Sequence, residues 1–356
     1  MSERRWVRWV GRLAIALVGL VVLLVVAGLV YQAAASAGDR KRYPPLGTLV
    51  DIGERALHLH CVGEGSPTVV FEAGAGGGVL DWTLVQDEVG EFTRACAYDR
   101  AGIGWSDAAS RPLSKAEVST NLHDLLDNGD VDGPLVLVGH SLGGFYVRSF
   151  AESWPDRVAG MVLVESSHEN QARRMPPEVM EAQLGMMRVL TMCRMLAPFG
   201  LMRLAKFADG FTEGLPFTEE RREAVIAVMN RTGYCAGLAN ELEAAMADSA
   251  ETDPPTPLGD LPLIVLSAGI QDTLPPAEFS GSGVTPDIMR ATNAVWNQMQ
   301  AELAGLSTRG VHEIATESEH YIQFDQPDLV VDAVRRVVMQ ARDEASSPPN
   351  SNPTLH

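Results

Sequence analysis

Gly139-His140-Ser141-Leu142-Gly143 constrains this chain more tightly than any other five residues. The motif follows the apolar run 135–138 and precedes the helix-like stretch 144–154. Gly-x-Ser-x-Gly between a strand and a helix describes a turn so tight that the serine backbone is strained and its hydroxyl stands clear of the sheet. A Cβ two residues before or after the serine would collide across that turn, so both places demand a small residue. A free serine hydroxyl is a poor nucleophile at neutral pH, so a reactive Ser141 requires a base elsewhere in the chain. The motif also arises by chance in glycine-bearing loops, and this chain has 33 glycines. The flanking strand and helix are what set it apart.

The same strand-and-helix rhythm runs through most of the chain. Strands are predicted at 48–52, 56–62, 68–72, 94–98, 135–138, 159–164, 262–267 and 310–316. Residues 114–128 read as a helix: Ser114 and Glu117 have capping-box spacing, and Val118, Leu122, Leu125 and Leu126 share a face. Apolar runs alternating with helices indicate an α/β fold, a mostly parallel eight-stranded sheet covered on both faces. The rhythm breaks between 167 and 258, a helical stretch without strand-like runs. Half of the 14 methionines lie between Met175 and Met202, which fits ordinary core packing or the adaptable apolar lining of an inserted cap. The resulting division is 1–46 as basic tip, apolar anchor and linker; 47–166 and 259–340 as the two parts of the core; and 167–258 as the cap. The tail 341–356 lacks apolar residues to bury and is expected to be disordered.

From about Gly47 to Met339 the chain resembles the α/β-hydrolase superfamily in its capped form, on the Ser141 elbow and the order of strands around it. The resemblance implies a triad running Ser, acid, His along the chain. Of the histidines after Ser141, His320 lies in a loop just beyond the last strand, where the base must stand. Its Glu319-His320-Tyr321 resembles the family's Gly-His-hydrophobic motif with Glu in place of Gly. His312 falls inside that strand, where a buried or edge histidine is the ordinary explanation. His168 precedes the cap and His356 ends the tail. The acid is expected at Asp272, in Gly269-Ile270-Gln271-Asp272 after strand 262–267. Glu165, ending the strand after the elbow, is the alternative acid. The oxyanion donors implied are the Leu142 N–H and, aligning Gly74 with the family glycine, the Ala75 N–H. Residues 73–78 could also be a phosphate cradle, but they lack the Lys-Ser/Thr of a nucleotide loop. His140 is expected to pack into the fold, and Asp99-Arg100 to stabilise its own loop.

The implied activity is hydrolysis of a carboxylic ester on a small molecule through an acyl-enzyme, with no cofactor and no metal. Two alternatives stay open: a peptidase or amidase on the same triad, and an inactive binding protein of this fold. Dehalogenase and epoxide hydrolase chemistry is disfavoured, because those relatives carry Asp at the elbow.

The N-terminus departs from the average composition of 46% hydrophobic and 21% charged residues. Arg4, Arg5, Arg8 and Arg12 precede residues 13–30, which contain no charged or polar side chain. That run spans about 27 Å as a helix, close to a hydrocarbon core of about 30 Å. Trp6, Trp9 and Tyr31 stand where interfacial aromatics would, and the arginines would hold the N-terminus in the cytoplasm with the remainder outside. A signal peptide cut near Gly38 is the rival reading. A net charge of −18 argues against nucleic acid as a partner. Four cysteines are too few for a disulfide framework. Cys61 and Cys96 are expected as small buried hydrophobes, while Cys193 and Cys235 could bridge outside the cytoplasm.

Overall fold

Apolar residues on both faces of the central strands are what build the core. In the strand 135–140, Val136 and Val138 point to one face of the sheet and Leu135 and Leu137 to the other, and all four are fully buried. A strand buried on both sides needs a helical layer on each. The computed structural model describes residues 3–251, 254–271 and 283–346. Its strands are β1 (Thr48–Asp51), β2 (Ala56–Val62), β3 (Thr68–Glu72), β4 (Ala95–Tyr98), β5 (Leu135–His140), β6 (Val158–Val164), β7 (Leu263–Ala268) and β8 (Gly310–Ala315). They form one sheet in the order β1-β2-β4-β3-β5-β6-β7-β8. Pairing is parallel from β4 through β3 to β8, while β1 and β2 are antiparallel additions at one edge.

The helices are α1 (Glu3–Arg42), α2 (Thr83–Gly90), α3 (Lys115–Asn128), α4 (Leu142–Ser153), α5 (Gln171–Arg174), α6 (Pro177–Leu196), α7 (Leu201–Leu204), α8 (Glu219–Met229), α9 (Tyr234–Glu251), α10 (Pro286–Ala304), α11 (Ile322–Asp325) and α12 (Pro327–Ser346). Trp82, Val85 and Val89 at α2 and Val330, Val334 and Val337 of α12 pack on one face of the sheet. Leu122 and Leu125 of α3, Val147 and Phe150 of α4 and Leu303 of α10 pack on the other. The Ser114–Glu117 capping box forms at α3 as its sequence predicts. Among the described residues no strand lies between Val164 and Leu263; that stretch is helices and turns.

Two compact units are distinguished, residues Pro45–Val189 with Ala236–His356, which contain the sheet, and Met1–Pro44 with Leu190–Cys235. In the second, α1 runs unbroken to Arg42, so most of the expected linker is helical. The reason is local packing: the Gln32 amide donates to the Asn230 carbonyl at 2.8 Å, and the Tyr43 hydroxyl donates to the Glu223 carboxylate at 2.6 Å. At the other end, α12 continues to Ser346, past the predicted start of a disordered tail at Ala341. Ala341 is buried, and the Arg342 guanidinium donates to the carbonyls of Ser66 and Phe92.

The cysteines require a correction. Cys61 and Cys96 are not independent core residues but a disulfide, because the antiparallel register of β2 and β4 sets them directly opposite, with Cα atoms 4.0 Å apart. Cys193 and Cys235 are bonded as well.

Candidate active site

Ser141 stands between β5 and α4 with φ 51° and ψ −122°, a backbone that side chains rarely adopt. Crowding enforces the small neighbours. A Cβ on Gly139 would come within 2.5 Å of the Gly144 Cα, and one on Gly143 within 2.3 Å of the Glu72 carbonyl oxygen. The turn is further fixed by the Ser141 N–H donating to the Val164 carbonyl at 3.0 Å.

His320 reaches the serine from the loop after β8: its Nε2 lies 3.0 Å from the Ser141 Oγ. Burial pushes the imidazole down from 6.5 to about 4, so the ring is neutral at pH 7 and Nε2 can accept the hydroxyl proton. His140 supports this loop. Its Nε2–H donates to the His320 carbonyl at 3.0 Å, and its ring packs beside those of His320 and Tyr321. Burial first, and then the adjacent His320, hold the His140 ring well below the usual histidine range, which keeps it neutral. Packing, as expected from the sequence, is its role.

The two candidate acids differ. Asp272 lies outside the described residues. Glu165 directly follows β6 with φ 46° and is buried at the rim of the site. One of its carboxylate oxygens accepts the Ala268 N–H at 2.7 Å, the other the Trp296 indole N–H at 2.5 Å. Burial raises its pKa to about 7 although both donors oppose the shift. His312 is on β8 at the sheet edge, with Nε2 2.5 Å from the Ser267 hydroxyl, and His168 is buried beside Asn170. Neither is hydrogen-bonded to Ser141, although His168 lines a cavity shared with the serine.

The loop 73–78 after β3 is held by residues that sequence reasoning assigned elsewhere or did not single out. Arg100 ends the β4 loop and is buried. Its guanidinium donates to the carbonyls of Ala73 at 2.7 Å and Gly74 at 2.6 Å. It also pairs with Glu72 at 2.5 Å and Glu241 at 2.7 Å, and Glu241 in turn accepts the Gly76 N–H at 2.9 Å. Tyr98 donates to Glu72 from below. Asp99 is the loop's own stabiliser, accepting the N–H groups of Val79 and Trp105 and facing the His58 Nδ1. The sequence signal at Asp99-Arg100 was visible; the target of Arg100 was not, since Glu241 lies 141 residues away.

Two cavities flank the serine. One, about 240 Å³, is lined by Ala75, Leu142, Phe145 and methionines including Met180 and Met186. The other, about 360 Å³, is lined by Glu165, Met289, Trp296 and His320. Among the described residues no cluster of His, Cys, Asp or Glu is arranged to hold a metal ion.

A family profile described as the Alpha/beta hydrolase family matches residues 69–333. An AB hydrolase superfamily protein of Gibberella zeae is 26% identical over 298 residues, covering 78% of this chain and 87% of that one. An uncharacterized vacuolar membrane protein of Saccharomyces cerevisiae is 34% identical over 131 residues, 32% of this chain but 20% of its own length. A thermophilic esterase from Thermogutta terrifontis shares the fold with a TM-score of 0.54 at 21% identity, over 81% of this chain and 94% of the other.

Proposed function

On the premise that this chain belongs to the alpha/beta hydrolase family, we propose that it is a serine hydrolase cleaving an apolar carboxylic ester through an acyl-enzyme. The observation that carries this reading is the 3.0 Å approach of a neutral, half-buried His320 to the hydroxyl on the strained elbow. Ser141 Oγ attacks the ester carbon while its proton passes to His320 Nε2. The tetrahedral oxyanion is held by the N–H groups of Ala75 and Leu142, the latter at the first turn of α4. Collapse breaks the bond to the alcohol oxygen, which leaves with the proton from His320. Water then attacks the acyl carbon, giving its proton to His320, and the acid departs as Ser141 regains its hydrogen. Asp272 is assigned to orient His320, because both oxygens of the alternative, Glu165, are taken by N–H donors. An ester is favoured over an amide by the methionine-lined cavity beside Ser141.

α1 is long and apolar enough to cross a membrane, and we assign it as a retained single-pass anchor with the catalytic unit outside the cytoplasm. Four arginines precede the apolar run. Two disulfides suit an oxidising compartment. A cut near Gly38 would remove Gln32, which is packed against Asn230.

Labelling by a fluorophosphonate probe tests the nucleophile: the wild-type chain should label and Ser141→Ala should not. That variant, and His320→Ala, should lose several orders of magnitude in kcat on p-nitrophenyl esters. Faster turnover of aminoacyl amides than of esters would replace the esterase by a peptidase. Absent labelling of the wild type would leave a binding protein.

A further inference from the structure

The C-terminal half of α1 is clasped by the segment that follows α6. A Cβ on Gly28 would come within 2.7 Å of the Phe199 carbonyl oxygen, and one on Gly200 within 2.5 Å of the Tyr31 ring. About 16 Å farther along α1 than Gly28, Asp39 pairs with the Arg203 guanidinium at 2.7 Å. Gly28 lies only about 3 Å before the end of the apolar run, at 1.5 Å per residue. Phe199 and Gly200 therefore sit at the level where residues 13–30 give way to polar ones. About 38 Å separates Trp6 from Tyr31 along the helix, which spans a hydrocarbon core and reaches the headgroup layers. Tyr31 thus marks a bilayer surface.

What the clasp turns outward at that level is apolar. Arg203 points to α1, while Leu201 and Leu204, three apart on the same short helix, are 45% and 64% exposed. Met195, in the last turn of α6, is 60% exposed. These side chains continue the exposed apolar surface of α1, where every described residue from Trp6 to Val30 except Gly28 is open. We propose that the elbow from Met195 to Leu204 is a second membrane contact, seated in the headgroup–acyl boundary of the leaflet from which α1 emerges. The inference rests on reading α1 as bilayer-embedded, and its occupant is lipid, because the surface it extends is the one that lipid would cover. Arg194 and Lys206, both exposed beside the elbow, can lay their stems along it and keep their charges at the headgroups.

Depth measurement tests this. Because the described cysteines are all in disulfides, an introduced thiol can be labelled selectively with an environment-sensitive nitrobenzoxadiazole. The full chain is reconstituted in phosphatidylcholine vesicles, with and without lipids bearing a nitroxide either near the headgroup, to report the elbow, or deep on the acyl chain, to report Val22. Leu201→Cys and Leu204→Cys should each be quenched about twofold or more, as an insertion of ~5–10 Å requires. Val22→Cys serves as the reference within the anchor and Glu219→Cys as the exposed one. Quenching at Val22 with none at Leu201 and Leu204 overturns the second contact and leaves the anchor standing. No quenching at Val22 overturns the anchor reading itself. An apolar spectrum at Leu201 without quenching means cover by protein, and also overturns the inference.

Discussion

The peptide joining Gly74 to Ala75 is where one side chain sets the chemistry of another residue's backbone. In a trans peptide the C=O and N–H point in opposite directions. Arg100 holds the Gly74 carbonyl at 2.6 Å, so the Ala75 N–H is turned away from Arg100, and Ala75 lines the cavity beside Ser141. Arg100→Lys keeps a charge against Glu72 and Glu241 but loses the planar fork. Its kcat should fall about 10²-fold with KM nearly unchanged, since the oxyanion exists only in the transition state. Unaltered kcat in a folded variant would mean the loop keeps its shape without Arg100. His320 carries a pH prediction. Protonation of Nε2 removes the base, so kcat/KM falls as pH drops through its pKa. Burial places that limb below 6.5, near 4, and a pH profile with its acid limb at or above 6.5 would show that a facing carboxylate outweighs burial. Ser141 and His320 were legible because one motif is local and the other is fixed by its place after the last strand. The Arg100–Glu241 pair was not, for nothing in either neighbourhood says that α9 passes over the β3 loop.

At the scale of elements, the central strands were readable because two-sided burial writes a run of apolar residues that no loop tolerates. Their neighbours in the sheet were less so. Sequence order would place β2 beside β3, which would leave Cys61 without Cys96 across from it. The actual crossover sets β4 between them, and the register then makes the two sulfurs partners. This bond ties an antiparallel edge to the parallel body of the sheet. The cysteines are 35 residues apart, and closing a loop of that length in the unfolded chain corresponds to about 3–4 kcal/mol in the chain-entropy account. Cys61→Ala with Cys96→Ala should lower the unfolding free energy by about that amount in urea titration while leaving hydrolase activity intact in the folded range. An unchanged midpoint would mean that the strand pairing alone fixes this edge. The capping box at α3 offers a smaller change: Ser114→Ala should cost about 1 kcal/mol in the same assay.

Taken as a whole molecule, the chain joins an apolar half-helix to a catalytic unit, and α1 has two different jobs along its length. Residues 13–30 were legible from composition alone as a run apolar enough to cross a membrane. Residues 36–46 read as a polar linker, because Asp39 and Tyr43 look like solvated positions until Arg203 and Glu223 are brought to meet them; nothing in the sequence says that Gln32, just before, meets Asn230. The two jobs separate by truncation. A chain beginning at Tyr31 loses the membrane run but keeps every one of those bonds, and should be soluble without detergent with its stability retained. A chain beginning at Pro45 loses all three contacts. At about 1 kcal/mol for each hydrogen bond, it should unfold about 2–4 kcal/mol more easily over residues 190–235. Hydrogen exchange and limited proteolysis of that segment read the difference directly. Equal protection in both truncations would mean that 190–235 holds its fold through the Cys193–Cys235 bond and its own packing, and that the second half of α1 merely rests on it.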